Sequence, residues 1–568
     1  MPKYEVQTHR DKRWLTRDLY DFETQAIVAA KKIYATSQAD GVRVVLDRLT
    51  PEGLHREKII FEEMRSPSKD KPVRIALIED GARCTSVAEI YGLESRMTIG
   101  RLLKAYLEQQ TLLPSELLHC SRPFTRFQEA EGQLMPSAVD RIVGMQCRID
   151  PTLNAKTRRD EIYAWIAEIG RRARRSEGEK LLWPLSLDDF HKVVATVAKC
   201  AFVHEDQVAL LCHVIARETD KERSFLGKLE VLLGCVSEDL TLEVLRILDG
   251  FVADALAVSQ VVQEILGVRP NLATALIALL DFIDGKAGSA ATREPETAKV
   301  LRRLFAEGKL PSGLTVLLDR VTRELGGRQP LTRNDPDREE AAFLALLDRL
   351  VKPEGVAGGT AVAAALTRRY GLRLEQGGLI GWKLSVLGVS RLLGENARRM
   401  QYLCEVAGAA EGANALTVVA EEVVEVVKPA ADIHHFVSPD LATPEKLQII
   451  TGLQRVLGAS SLPEVLRIRV VGRLDDLLAR YLVDAAVVEK LDAPGDSLRL
   501  RAVRLVKFCG SGLLLEGKAL SIARSRVLHH LRQPNFVEDF SRDLSDPGER
   551  EARLRDFYRM LAEAGFRI

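Results

Sequence analysis

Two stretches of the chain combine closely spaced glycines with cations, the residue types from which a phosphate cradle is built. The first, EGVAGGTAVAAALTRRYG (Glu354 to Gly371), sets Gly358 and Gly359 before a helical pattern that ends in Arg368 and Arg369. The second, GLLLEGKA (Gly512 to Ala519), has the G-x-x-x-x-G-K skeleton. A phosphate loop needs a strand behind it, so that the backbone turns sharply and the free N–H groups of the helix N-terminus point at the anion. Before Glu354, Phe343, Leu346, Leu347 and Leu350 fall at helical spacing, so a helix leads in. Thr360 then reads as a helix cap, and the two arginines as cations at a helix C-terminus. In the second stretch Ala519 brings no hydroxyl to magnesium and leucines fill the loop, which reads as a Gly-Ser-Gly joint before a helix.

The strongest functional signal is electrostatic. RLRAVRLVKF puts Arg501, Arg504 and Lys507 at i, i+3 and i+6 along one side of a helix, and Arg499, Lys518, Arg524, Arg526 and Arg532 thicken the positive character around it. A basic helical face can dock an acidic partner, a phosphorylated segment or a nucleotide. It can equally be a solvated face satisfied by carboxylates of its own chain. Arg499, Arg501, Arg504, Lys507, Arg524 and Arg526 are the expected anion- or partner-binding residues.

Other reactive side chains are poorly arranged for chemistry. The adjacent pairs His434-His435 and His529-His530 would point about 100° apart on a helix and chelate badly. His434 does lie near Glu421, Glu422 and Asp432, which leaves a site built across helices open. The eight cysteines form no CxxC pair and no metal-ligand spacing, so reduced, mostly buried thiols are expected. Cys509, between Arg504, Lys507 and Gly510, is the thiol best placed for activation. No catalytic residue, metal or cofactor is expected.

The bulk composition narrows the partner classes. Across 568 residues, 81 Lys and Arg balance 80 Asp and Glu, a formal net charge of +1, which argues against a general field for nucleic acid. Hydrophobic residues at 46% and charged residues at 28% are the balance of a globular protein, and aromatics at 5% lean toward helical packing. No aromatics interleave the cations, so single-stranded nucleic acid is not expected. No run approaches the roughly 18 apolar residues of a membrane span, and no apolar segment follows MPKYEVQTHRDKRW, so a cytoplasmic chain without a membrane span is expected.

The elements that must position these residues are mainly helical. KYEVQTH and WLTRDLYD, then GVRVVLDRL and HREKIIFEE with PEGL between them, read as strands around the helix ETQAIVAAKKIYAT, a small ββαββ α+β module over residues 1–65. SPSKDKP (66–72) reads as a linker. A mixed, mostly helical region follows over 73–180: VRIALIEDG suggests a further strand, Ser86 and Glu89 a capping box, and 120–136 an irregular stretch. Helical arrays are expected at 181–327 and 338–568, with breaks at 285–296 and 326–337. Phe190, Val194, Val197 and Ala201 mark one helical face, and Thr443 reads as a cap with Pro444 in the first helical position.

Helices of about three turns are marginal alone and must bury their apolar faces on neighbours. Antiparallel helix pairs are therefore expected to stack as an α-solenoid or a related irregular array; no repeat signature recurs at fixed positions. This architecture points to a non-enzymatic interaction, scaffold or regulatory protein with a protein partner, itself open to homo-oligomerisation. The competing expectation is a nucleotide- or phosphate-responsive regulator or enzyme, with a pocket in the C-terminal half using Arg501, Arg504, Lys507 or the His434 region.

Overall fold

The β-branched runs of the N-terminal segment form four strands: β1 (Lys3–Arg10), β2 (Arg13–Tyr20), β3 (Gly41–Leu49) and β4 (His55–Met64). The computed structural model describes residues 3–10, 13–36, 41–49, 55–64, 73–130, 133–200, 202–286, 295–333, 335–374 and 376–566. The strands pair antiparallel in the order β2-β1-β3-β4. Helix α1 (Glu23–Thr36) sets Ala26 and Ala30 against Val6, Val42 and Val44, small residues that let the helix approach the sheet closely. The expected PEGL turn and the 66–72 linker lie outside the described residues.

Beyond the module the described chain is helical apart from one two-stranded hairpin, so the protein is mainly α with a small N-terminal α+β module. It divides into two compact units, one of Met1–Asp80, Arg101–Gln110 and Phe124–Tyr163, the other of Gly81–Gly100, Thr111–Pro123 and Ala164–Ile568. The second unit holds one continuous apolar core, running from Leu113 to Ala564. Its helices do not pack only on their sequence neighbours. Leu242–Ala257 lies on Pro311–Gly326 although three helices intervene in the chain, and Glu464–Asp484 lies on Lys518–Leu531. A solenoid repeat touches only the adjacent repeat, so this is the irregular form of the expected array.

Several local expectations are corrected. Residues 73–80 form no strand; Ala76 N–H donates to the Leu102 carbonyl (2.8 Å), so a helix end takes the place of a partner strand. Ser86 makes no side-chain cap bond, and the Glu89 carboxylate accepts the Thr85 N–H and hydroxyl instead of the Ser86 N–H. The stretch expected to be irregular contains the helix Ser121–Gln128, with Pro123 in the first turn, where no N–H is needed. In the helix Phe190–Ala198 the expected Phe190 and Val197 are buried, Val193 joins them and Val194 is partly buried against the core, and Ala201 lies outside the described residues. The cap of Thr443–Ala459 falls on Ala442, whose N–H is taken by Glu445, so Thr443 is already helical.

Helix ends in this unit are satisfied by side chains from other helices. Buried Asp249 accepts the Ser312 and Gly313 N–H groups (2.7 and 2.9 Å), and buried Asp254 accepts the Ser115 N–H (2.9 Å) and the Arg96 guanidinium. Buried Arg369 donates to the carbonyls of Glu324, Leu325 and Gln329, closing the C-terminal end of Pro311–Gly326. Each contact pairs free N–H or C=O groups with a charge of the sign the helix dipole favours.

Candidate functional site

Carboxylates of the chain itself stand beside both phosphate-like loops. The first is entered through a two-residue hairpin, Val351–Lys352 with Gly355–Val356, rather than directly from a helix. Gly358 and Gly359 then take φ of 80° and 56°, and a Cβ on Gly358 would come within 2.5 Å of the Val362 side chain, so the turn requires glycine. Gly358 is the N-cap; Thr360, expected there, instead donates its hydroxyl to Glu405 (2.7 Å). That carboxylate lies beside the start of the helix, 3.4 Å from where a Cβ on Gly359 would stand. Arg369 is likewise not a free cation but the buried cap of Pro311–Gly326.

In the second loop, Asp475 accepts the N–H groups of Lys518 (2.6 Å) and Ala519 (3.3 Å) at the start of Lys518–Leu531, and Lys518 Nζ pairs with Asp476 (2.6 Å). A Cβ on Gly517 would lie 2.4 Å from the Asp475 carboxylate. An internal anion therefore occupies the position a P-loop reserves for its ligand.

The basic face is divided among several carboxylates. Arg499 forks onto Asp543 (2.8 Å), which Ser497 also engages, and these contacts, led by the Arg499 hydrogen bond, hold the Asp543 carboxyl below its ordinary range. Arg501 Nε and His530 Nε2 both reach buried Asp492 (2.7 Å each). Burial alone would raise the Asp492 carboxyl, yet these donors outweigh it and hold it low. Arg504 pairs with Asp496, Arg524 with Glu516 (2.7 Å) and Arg526 with Glu489 (3.3 Å). Lys507 is exposed, with no ion pair among the described residues. The six residues thus do not gather on one anion site: Arg501 and Arg526 meet at Asp492, and the others, Lys507 apart, face separate acids.

Several thiols and imidazoles are held in inert states by burial. Cys212 and Cys235 are each pushed up to about 12 by burial, and Cys509, expected to be the most activatable thiol, to about 11 despite Arg524 nearby. A thiol so raised stays protonated at neutral pH and is a poor nucleophile. His119 lies between the rings of Tyr91 and Phe251 (centroids 4.9 and 6.2 Å away). Burial, with the charges of Arg96 and His213, pulls it down to about 3. His213 Nδ1 donates to the His119 carbonyl (2.9 Å). Among the described residues, no three His, Cys, Asp or Glu side chains gather so as to hold a metal ion.

Two openings in the second unit bear on these expectations. One, of about 780 Å³, lies at the expected His434 region, between Pro353–Glu354, Gly394–Asn396 and the segment from His434 to Ile449. His435 donates Nε2–H to the Val426 carbonyl (2.8 Å), and Asn396 donates to the His435 carbonyl (3.0 Å), so this imidazole is fixed as a structural group. Glu354, Glu395 and Glu445 line the cleft and no Lys or Arg does, a charge that repels phosphate.

The other opening is an apolar groove of about 700 Å³ between the helix Ala413–Val427 and the start of Glu464–Asp484. Leu416, Ala420 and Val424, spaced i, i+4, i+8, form its wall with Pro463 and Leu466 opposite, and Glu421 and Glu425 stand beside them. The helix buries Val419, Val423, Val426 and Val427 in the core on its other side, so it is apolar on two faces. The sequence carried that signal in LTVVAEEVVEVV, where the hydrophobic positions exceed one helical stripe. None of the six expected site residues lines this groove.

Fold and grooves define the chain as a mainly helical protein with an open apolar groove and many of its charges paired within the chain. Neither protein-family models, nor curated proteins, nor solved structures give a match to it. Among the described residues no helix is long and apolar enough to cross a membrane.

Proposed function

We propose that the chain is a non-enzymatic protein-binding protein, a scaffold or regulatory component that receives an apolar helical segment in the groove beside Ala413–Val427. The observation that supports this reading is the groove wall of Leu416, Ala420 and Val424, in which Val424 is 39% exposed while Leu416 and Ala420 are partly buried, flanked by Glu421 and Glu425. A helix gains most of its stability by burying an apolar face, and a helix apolar on two faces has one left to offer. The candidate cations, by contrast, are engaged by carboxylates, Lys507 excepted, and the cleft at His434 is acidic, which weighs against the phosphate-responsive reading. The eight thiols, six of them buried, support placing the chain in the reducing cytoplasm.

Affinity capture with the wild-type chain as bait is expected to retain a protein at stoichiometric level, and Val424→Asp bait is expected to lose it. Thermal-shift titration with nucleotides and divalent metals is expected to show no concentration-dependent rise. A rise of several degrees with one ligand, abolished by Arg504→Ala and accompanied by capture that Val424→Asp leaves intact, would replace this reading with the phosphate-responsive one.

A further inference from the structure

The helix Gly378–Leu392 carries a second unshared apolar stripe in the same unit. It turns Gly381, Ser385, Val386, Val389 and Ser390 into the protein. Its outer side presents Ile380 (66% exposed), Leu384 (42% exposed) and partly buried Leu387 at i, i+4, i+7, with Lys383 and Arg391 exposed beside them. Neither cation has an ion pair among the described residues, and neither Glu421 nor Glu425 at the groove has one. The two helices are neighbours: Ser390 donates its hydroxyl to Glu422 of Ala413–Val427 (3.0 Å).

We propose that the occupant of the groove is a second copy of this chain, whose Gly378–Leu392 stripe lies in the groove while its own groove receives the first copy's stripe. This rests on the groove being a protein-binding surface. Charge selects the pairing. Two grooves brought together would oppose carboxylates, and two stripes would oppose cations; only stripe on groove sets Lys383 and Arg391 against Glu421 and Glu425. Length agrees as well, since Ile380 to Arg391 spans about 17 Å and Ala413 to Glu425 about 18 Å at the helical rise. Because stripe and groove sit on adjacent helices of one unit, a two-fold axis makes the same contact twice, the arrangement of a closed dimer.

Sedimentation velocity of the full chain, from about 1 μM to about 100 μM, tests this. The expected result is a reversible monomer–dimer equilibrium that weakens with added salt. Lys383→Glu with Arg391→Glu, or Glu421→Lys with Glu425→Lys, is expected to weaken the dimer at least about tenfold, and the four changes together to restore it. A monomer at every concentration, assembly beyond the dimer, or a quadruple variant as weak as either double would overturn the proposal. If the chain is monomeric while Val424→Asp still abolishes capture of a different protein, only the identity of the occupant fails. If that capture is absent too, the protein-binding reading of the groove fails with it.

Discussion

Replacing Lys228 by methionine is expected to destabilise the second unit by about 3–5 kcal/mol. Lys228 and Glu116 are both 0% exposed, and Nζ contacts the two carboxylate oxygens at 2.6 and 2.7 Å. Glu116 also accepts the Leu113 N–H (2.7 Å), so the pair ties the helix Pro114–His119 to Phe225–Gly234 inside the core. Burial raises the Glu116 carboxyl above its ordinary range, and Lys228 is the main opposing influence. With methionine in its place, the carboxylate is left ionised and unpaired, or it must take up a proton. A folded-state value raised above the unfolded one stabilises at low pH and loses that contribution as pH rises through the raised value. The deficit of Lys228→Met should therefore be larger at neutral pH than at pH 5, as read from urea midpoints by circular dichroism. Adding Glu116→Gln, which keeps an acceptor for Leu113 and removes the charge, should recover most of the loss. A deficit below about 1 kcal/mol, or no recovery in the double variant, would contradict this account of the pair.

Lowering the pH from 7 to 5 is expected to cost the wild-type chain about 2 kcal/mol through His119 alone. Its folded-state value, about 3, lies below that of an unfolded histidine, so the unfolded chain binds a proton that the folded chain refuses. The stabilisation is complete above about pH 6.5 and is lost as pH falls toward the folded value. His213 and His530 are lowered as well, first by burial, and add to the same slope. His119→Phe keeps the ring between Tyr91 and Phe251, and keeps the backbone carbonyl that His213 uses, while removing the titration. The variant should lose about 2 kcal/mol less than wild type over this interval, measured as the change in urea midpoint. Identical pH dependence in the two proteins would contradict the neutral state of His119.

Where a helix or strand writes its own period, the sequence was legible: the four strands and one helix of the small N-terminal module, and the long run of short amphipathic helices as a mainly α body. What escaped depends on partners distant in sequence. Thr360 looked like a cap because nothing local announces Glu405, and residues 73–80 looked like a strand because nothing local shows that they lack one to pair with. The basic face read as available for the same reason: Asp543 lies 44 positions from Arg499, and Glu489 lies 37 from Arg526. The groove was hidden by abundance. Valines on every side of Ala413–Val427 read as core, and only packing shows which of them the core leaves uncovered.

A single physical habit connects these corrections. The chain caps several of its helices with carboxylates and guanidinium groups from other helices, as Asp249, Asp475 and Arg369 do, so those charges hold helices together. The apolar channel beside Val424 is what remains open for another protein.

Site-specific photo-cross-linking in the producing cells tests that claim most directly. A photoreactive residue at Thr417, exposed and on the groove, is predicted to give a discrete cross-linked protein, whereas the same residue at Val268, 94% exposed and away from the groove, gives none. No adduct from position 417, or the same adduct from both positions, would contradict the account.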